Sequence, residues 1–302
     1  ISNILSQLAQ LGYPLATNDS LIIRHNSEND FVDIYIAEGF PLRLDLVKTY
    51  EMEAGKVIPN DNVRSDIVSG YFLREGAYKL LTGYADKGFP FAMVTVIPSN
   101  ISLEDSSLSA DLSFQLNPGN FIRIGAVKFP GRSYTSAKLL NNESRIRRGA
   151  TFNQAFIHRA LTRLNKLEYI NQSEPVRLLP SSPGIIDLYI PVTENKISTF
   201  TGVAAFDPQG KKLRGDANLS LKNMFGTGRK LEFIWEGLDP RRNGVSVVYF
   251  EPWLLEFPLQ AEIGVEIWSG DSIGVLFNRH FGLDWQPNFN ITVGGSINIE
   301  NI

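Results

Sequence analysis

Between Lys196 and Ile302 the chain alternates apolar and polar residues almost strictly, in seven short segments. The clearest runs from Leu213 to Asn223 and sets Leu213, Ala217, Leu219 and Leu221 on one face. A period of two is that of a strand with one apolar and one wet face. The pattern predicts strands at 198–206, 212–223, 229–237, 244–251, 259–268, 272–283 and 288–300. Most reach the roughly 9–11 residues of a tilted membrane crossing. The apolar sets are Leu231, Phe233 and Trp235; Ala261, Ile263, Val265 and Ile267; and Phe289, Ile291, Val293 and Ile297. Lys230, Glu232, Glu236, Glu262 and Glu266 fall between them, on the wet face. Consecutive hairpins of this kind are the pattern of a transmembrane β-barrel wall. A soluble β-sandwich alternates in the same way, so alternation alone leaves both open.

Upstream of Lys196 the period changes, and a repeat of roughly 80 residues emerges. Three predicted helices end in similar phrases, Leu8–Pro14, Tyr84–Pro90 and Leu164–Ile170. Gly12 and Gly88 stand where a helix end takes a left-handed residue, and Pro14 and Pro90 prevent continuation. The third phrase has Glu168 in place of the glycine. The apolar stripes are Ile4, Leu8 and Leu11; Ala77, Leu81 and Tyr84; and Phe152, Phe156, Ala160 and Leu164. Each helix is followed by two strand-like stretches: Ser20–Arg24 and Asp30–Glu38, Phe91–Ile97 and Ser107–Leu116, Pro175–Leu179 and Gly184–Val192. Gly39–Val47 and Gly119–Val127 match as opening strands, with Arg43 and Arg123 in register. The repeat thus reads as strand, short helix, longer helix, strand, strand, and a small sheet with helices on one face would bury such stripes. The first copy lacks its opening strand, so the chain is expected to begin inside a domain.

At 302 residues the chain can hold two or three such units. Its 29 basic and 32 acidic residues announce no polyanion-binding stripe and no nucleic-acid partner. The chain has no cysteine, which excludes disulfides and thiolate metal sites. No run approaches the roughly 20 apolar residues of a membrane helix, so any membrane crossing must use strands. Ile1–Leu5 opens directly into an amphipathic pattern, without the basic and apolar regions of a signal peptide, as expected of a mature or trimmed product.

The β-α-α-β-β order, the helix-ending Gly-Tyr/Phe-Pro and the strand-opening Gly-x-x-x-Arg resemble polypeptide-transport-associated (POTRA) domains. Gly202–Asp207, Leu219–Arg229 and Tyr249–Leu255 resemble the start of the barrel in the BamA/TamA superfamily. The resemblance covers nearly the whole chain. It implies a partial POTRA domain at 1–38, POTRA domains at 39–118 and 119–195, and the N-terminal portion of an outer-membrane β-barrel at 196–302. The fold class is therefore α+β POTRA repeats followed by an antiparallel transmembrane barrel segment of about seven strands. Barrels of this family are expected to have sixteen strands and a late loop with an Arg-Gly-aromatic motif, both absent here. Unpaired edge groups in lipid cost several kcal/mol each, so the chain reads as part of a longer protein.

The resemblance implies an outer-membrane assembly or translocation factor, BamA-like or TamA-like and not an enzyme. Its barrel would lie in the bacterial outer membrane and its POTRA domains in the periplasm. Partners would be unfolded or extended client proteins, outer-membrane lipid, and periplasmic or lipoprotein accessory subunits; no cofactor is implied. The second strand of each POTRA domain would be an exposed edge that accepts an extended client, with Phe91, Val94, Val96, Val176 and Leu178 as candidates. Ser198, Phe200, Gly202 and Val203 mark the first barrel strand as a candidate lateral gate. Trp235, Tyr249, Trp253, Trp268 and Trp285 lie near strand ends, where interfacial belts recruit aromatics. Arg145, Arg147, Arg148, Arg159, Arg163 and Lys166 would face solvent, anionic headgroups or a partner. Two other functions stay open: anchoring or export of an upstream catalytic domain of the patatin-like lipase type, and two-partner secretion.

Familiar catalytic patterns are weak. Glu232/Glu236 and Glu262/Glu266 share strand faces at about 13 Å, beyond the roughly 5–9.5 Å of paired glycosidase carboxylates. His25, His158 and His280 lack ligand spacing, and Gly226-Thr-Gly228 reads as a hairpin turn.

Overall fold

A computed structural model describes every residue except 26–29, 52–55, 59–67, 105–106, 209–211, 240–241, 271–273 and 302. The chain forms two compact units, residues 1–123 with 151–154, and residues 124–150 with 155–302.

The first unit opens with helix α1 (Ser2–Gln10) and the antiparallel hairpin β1 (Thr17–His25) and β2 (Asp30–Ala37). Next come β3 (Leu42–Glu51), β4 (Lys56–Ile58), α2 (Gly70–Ala85), β5 (Met93–Glu104) and β6 (Ser107–Asn117). These four strands make one sheet in the order β4-β3-β6-β5, with β3 parallel to β6 and β5 antiparallel to it. β4 is a partner for β3 that the apolar pattern does not announce, because it has only three residues. The shorter helix expected before α2 lies outside the described residues. Ser69 caps α2, its hydroxyl accepting from the Phe72 N–H at 3.1 Å. Ala110, Leu112, Phe114 and Leu116 alternate along β6 and are buried. Phe72, Leu73, Ala77 and Leu80 of α2 pack on the cluster of Val68, Leu112 and Phe114. The core face of α2 therefore runs through Leu80, where the stripe reading has Leu81; steps of four and three from Leu73 meet the sheet.

The repeated phrases prove to be joints. Gly12 and Gly88 sit at φ +106° and +104°. In each, the N–H of the next residue returns to the carbonyl five positions back, Tyr13 to Leu8 and Phe89 to Tyr84. The glycine carbonyl then accepts from the strand opening the following copy, Leu42 N–H to Gly12 and Ile122 N–H to Gly88, both at 2.8 Å. A Cβ on Gly88 would come within 2.5 Å of the Phe121 ring, which stacks edge-on against Phe89 at 5.6 Å.

The second unit holds most of the third copy: β7 (Arg123–Lys128), α3 (Ala137–Ser144), α4 (Gln154–Leu164), β8 (Ile170–Gln172), β9 (Arg177–Ser182), β10 (Ile185–Tyr189) and β11 (Val192–Glu194). β7, β10 and β9 form one sheet in that order, and β11 pairs with β8. The expected short and longer helices are α3 and α4. Ile157, Ala160 and Leu164 are the buried face of α4, and Leu140, Ile186 and Leu188 are buried as well.

Seven antiparallel strands follow in sequence order: β12 (Thr199–Asp207), β13 (Lys212–Met224), β14 (Arg229–Asp239), β15 (Arg242–Glu251), β16 (Leu259–Gly270), β17 (Gly274–Trp285) and β18 (Val293–Asn301). The sheet is open, with β12 and β18 at its ends. Register aligns the apolar positions in rows. One row runs through Leu221, Leu231, Tyr249, Ile263, Phe281 and Ile297. The next begins at Phe200 and passes Leu219, Phe233, Val247 and Val265 to Arg279, whose guanidinium lies 4.9 Å over the Phe277 ring. Lys230, Glu232, Glu236, Glu262 and Glu266 share the opposite face, by parity and register. The last strand starts later than expected, so Phe289 and Ile291 leave the wall. The Asn288 side chain accepts from the N–H groups of Asn290 and Ile291, which bends the backbone there.

Two glycine substitutions should act in opposite directions. Gly88→Ala adds strain at a left-handed position and a clash, and is expected to destabilise by about 1–3 kcal/mol. Gly83→Ala, inside α2 with open space around it, is expected to stabilise by about 0.5–1 kcal/mol. Urea unfolding of the two variants checks both signs.

Candidate functional site: free strand edges and a clamped junction

Among the described residues β5 pairs with β6 alone and β9 with β10 alone, so both are end strands. Each carries a proline beside an irregularity of register: Pro98 precedes the shift at Pro98/Ile101, and Pro180 sits opposite the shift at Ile185/Ile186. Proline is tolerated in sheets at edges, where it also blunts pairing. The uninterrupted backbone is thus Met93–Ile97 and, past the shift, Ile101–Glu104 in β5, and Arg177–Leu179 in β9.

The sequence candidates fall unevenly on these edges. Val94 and Val96 lie on β5, but their side chains pack against the Val68–Leu112–Phe114 core. The outward face of that stretch is Met93, Thr95 and Ile97. Phe91 lies in the turn before β5, and Val176 just precedes β9. Leu178 is on β9, opposite Leu188. In the large sheet, β12 pairs only with β13 among the described residues. Phe200, Gly202 and Val203 lie on it, with Phe200 70% exposed. Ser198 lies one residue before the strand, and its hydroxyl bridges the Lys222 N–H and carbonyl.

The aromatics divide too. Trp235 shares the apolar face, opposite Ala217 and Val245. Trp285 ends β17 on that face, between Leu259 and Val293. Tyr249 lies there as well and donates to Glu251 at 2.9 Å. Trp268, by contrast, shares parity with Glu262 and Glu266. Its indole covers Gly244, where a Cβ would come within 2.3 Å. Trp253 lies outside the strands, in the β15–β16 connection, and is held by the third copy.

That contact belongs to a junction built on three successive turns at one end of the sheet. Glu143, at the end of α3, is 4% exposed. One carboxylate oxygen accepts from Trp253 Nε1 and the other from Arg163 Nε, both at 2.7 Å. Arg163 also donates to the side chain of Gln286, in the β17–β18 connection. Arg145, left-handed at φ 55°, donates to the Gln286 carbonyl. Its guanidinium lies over Phe289 at 5.3 Å and Trp253 at 5.9 Å. Burial, then the neighbouring Arg163, lowers the Arg145 pKa, and Glu143 opposes them. Phe289 packs on Phe156 with ring centroids 5.3 Å apart. Arg145 and Arg163 therefore leave the solvated or lipid-facing role expected of the cationic cluster, whereas Arg147, Arg148, Arg159 and Lys166 are exposed.

The β13–β14 turn docks beside α3. Asn223 donates to the Thr135 hydroxyl and accepts from Gly228 N–H, both at 2.9 Å. The Gly226 carbonyl accepts from Ser136 N–H, and a Cβ on Gly226 would meet the Tyr134 carbonyl at 2.2 Å. The receiving loop is held by Glu194, which accepts from the Ser133 hydroxyl and the N–H groups of Tyr134 and Thr135. Burial disfavours its charge, but these hydrogen bonds prevail and bring its pKa down to about 2. Beside this turn, Glu168 forms an ion pair with Lys222.

Sequence reasoning missed Glu143, Glu194 and Asn223. A carboxylate in a short polar helix reads as solvated, and Asn223 reads as one more wall residue. The spacing of Asn223 from Gly226 and Gly228 is the signal that marks a shaped turn.

No protein-family model matches the chain. Among solved structures, BamA from Haemophilus ducreyi lacking POTRA domains 1–3 is similar, with a TM-score of 0.58 and 16% identity over 78% of this chain and 45% of that one. The chain thus spans less than half the length of that structure. POTRA domains 3–5 of Haemophilus influenzae BamA align at 17% identity over 64% of this chain and 80% of that one, with a TM-score of 0.43. CdiB from Escherichia coli aligns at 11% identity over 99% and 59%, with a TM-score of 0.42. The first superposition carries the fold comparison; the other two, below 0.5, carry none. The chain has the BamA-type fold, POTRA units leading into a strand wall that is an open, incomplete barrel.

Two outcomes are expected of the junction. Glu143→Gln strands Arg163 without its counter-ion and should weaken the clamp by on the order of 3 kcal/mol. Faster trypsin cleavage at the exposed Arg147 and Arg148 would report it, with Glu143→Gln combined with Arg163→Met recovering most of the resistance. Glu194 has a depressed folded pKa, so its contribution is full above about pH 4.5 and is lost as pH falls toward 2. Thermal melts of Glu194→Gln should fall below wild type at pH 7 and converge with it near pH 2.

Proposed function

We propose that this chain is part of an outer-membrane protein assembly or translocation factor, with its POTRA units in the periplasm and its strand wall in the outer membrane. Extended client polypeptides pair with the free backbone of β5 and β9 and pass to β12, the end strand of the wall. Lipid meets the apolar rows, and accessory subunits use the remaining POTRA surface.

One observation carries this reading. Within a single chain, two small sheets end in edge strands that each keep a proline-free stretch, and the wall itself begins on an end strand. Backbone pairing recognises extended chains with little regard to sequence, which suits a receptor for diverse clients. The BamA-type fold supports the same reading. The apolar rows support a bilayer setting, since Phe200, Ile263 and Ile297 are exposed on one face.

The test uses a photo-crosslinking amino acid at Thr95, on the outward face of β5. Tyr71, exposed at 70% on α2, serves as control. Unfolded outer-membrane protein added to the factor should crosslink at position 95 several-fold more than at 71. Equal labelling at both sites would sink edge pairing. Proline substitutions at Val94 or Val96 are poorer probes, because both side chains belong to the core.

A further inference from the structure

Glu168 stands where the first two copies carry the joint glycine, at the position of Gly12 and Gly88. In those copies the joint meets another POTRA-type strand; here it meets the wall. Glu168 reaches Lys222 at the end of β13. Lys222 is directly opposite Lys230 of β14, and like charges opposed across a strand pair repel. Lys230 lies 5.5 Å over the Phe250 ring. A cavity of about 220 Å³ opens among these groups, lined also by Lys166, Ile197 and Pro252 and by Glu143 and Arg163, which are already paired with each other. Two cross-strand lysines, an aromatic floor and a third lysine at the rim form a carboxylate-binding arrangement. One carboxylate already occupies it, and that group is 57% exposed, so an outside competitor can reach it.

We propose that Lys222 and Lys230 form a carboxylate site at the mouth of the wall, filled in this conformation by Glu168 and taken over by acidic segments of a client polypeptide. Glu168 acts as an internal stand-in: it balances the lysine pair while no client is present and yields when a client side chain arrives. The exchange trades one carboxylate for another on the same lysines, so the site needs no charge to be stranded. Its apolar lining favours a peptide, whose neighbouring side chains cover Ile197 and Phe250, over a small free anion.

The site uses the polar wall face assigned above but not the β5 or β9 edges, so its failure and theirs are separable. The probe is a fluorescein-labelled Gly/Ser peptide carrying four glutamates, beside a glutamine counterpart, with binding followed by anisotropy on the protein in neutral detergent. If Glu168 fills the site about 90% of the time, Glu168→Gln tightens binding of the acidic peptide about tenfold. Lys222→Gln and Lys230→Gln should abolish the preference over the glutamine peptide, and Lys222→Arg should retain it. Unchanged affinity in Glu168→Gln overturns the proposal. So does equal binding of the two peptides, or acidic-peptide binding that persists in the Lys222→Gln/Lys230→Gln double variant.

Discussion

A carboxylate buried beside two guanidinium groups sets the geometry of the junction. Removing Glu143 from water is expensive unless its oxygens are paired, and both are, to Trp253 and Arg163. Because Arg163 and Arg145 also hold Gln286, this one charge ties the β15–β16 and β17–β18 connections to helices α3 and α4. Gln286 closes the loop by donating its N–H to the Pro258 carbonyl at 2.8 Å. Pairs of this kind contribute little net stability against an apolar alternative but are costly to break halfway. The consequence is specificity of arrangement: the turns dock in one register or leave a charge unpaired.

The repeat uses the same position for two tasks. In the first two copies a left-handed glycine ends the helix and offers its carbonyl to the next strand. In the third, Glu168 keeps the place but points a charge at Lys222. A glycine joint fixes backbone to backbone and tolerates no side chain, as the Phe121 ring beside Gly88 demonstrates. A side-chain joint is longer, partly solvated and exchangeable. The substitution coincides with the change from one α+β copy following another to a copy followed by the wall.

How much was legible in the sequence follows from which forces leave a local trace. Period-two alternation is local, so all seven wall strands were readable, as were the joint glycines and the short and longer helices of the third copy. An edge position for Val94 and Val96 was readable only through the POTRA resemblance. Their turning inward was not, because β5 has one face on α2 and the pattern does not say which. Trp268 could have been assigned to the polar face from its parity with Glu262 and Glu266. Trp253 and Glu143 could not have been paired, since 110 residues separate them and neither carries a motif. Long-range pairing of a buried charge leaves no periodicity to read.

Pro98 and Pro180 also limit length. A strand added to β5 meets five residues before Pro98 and four past the register shift, and one added to β9 meets three before Pro180. Each net backbone hydrogen bond contributes about 0.5–1.5 kcal/mol, so pairing over so short a stretch is weak. An edge that could otherwise nucleate an endless sheet is cut into short stretches by its proline.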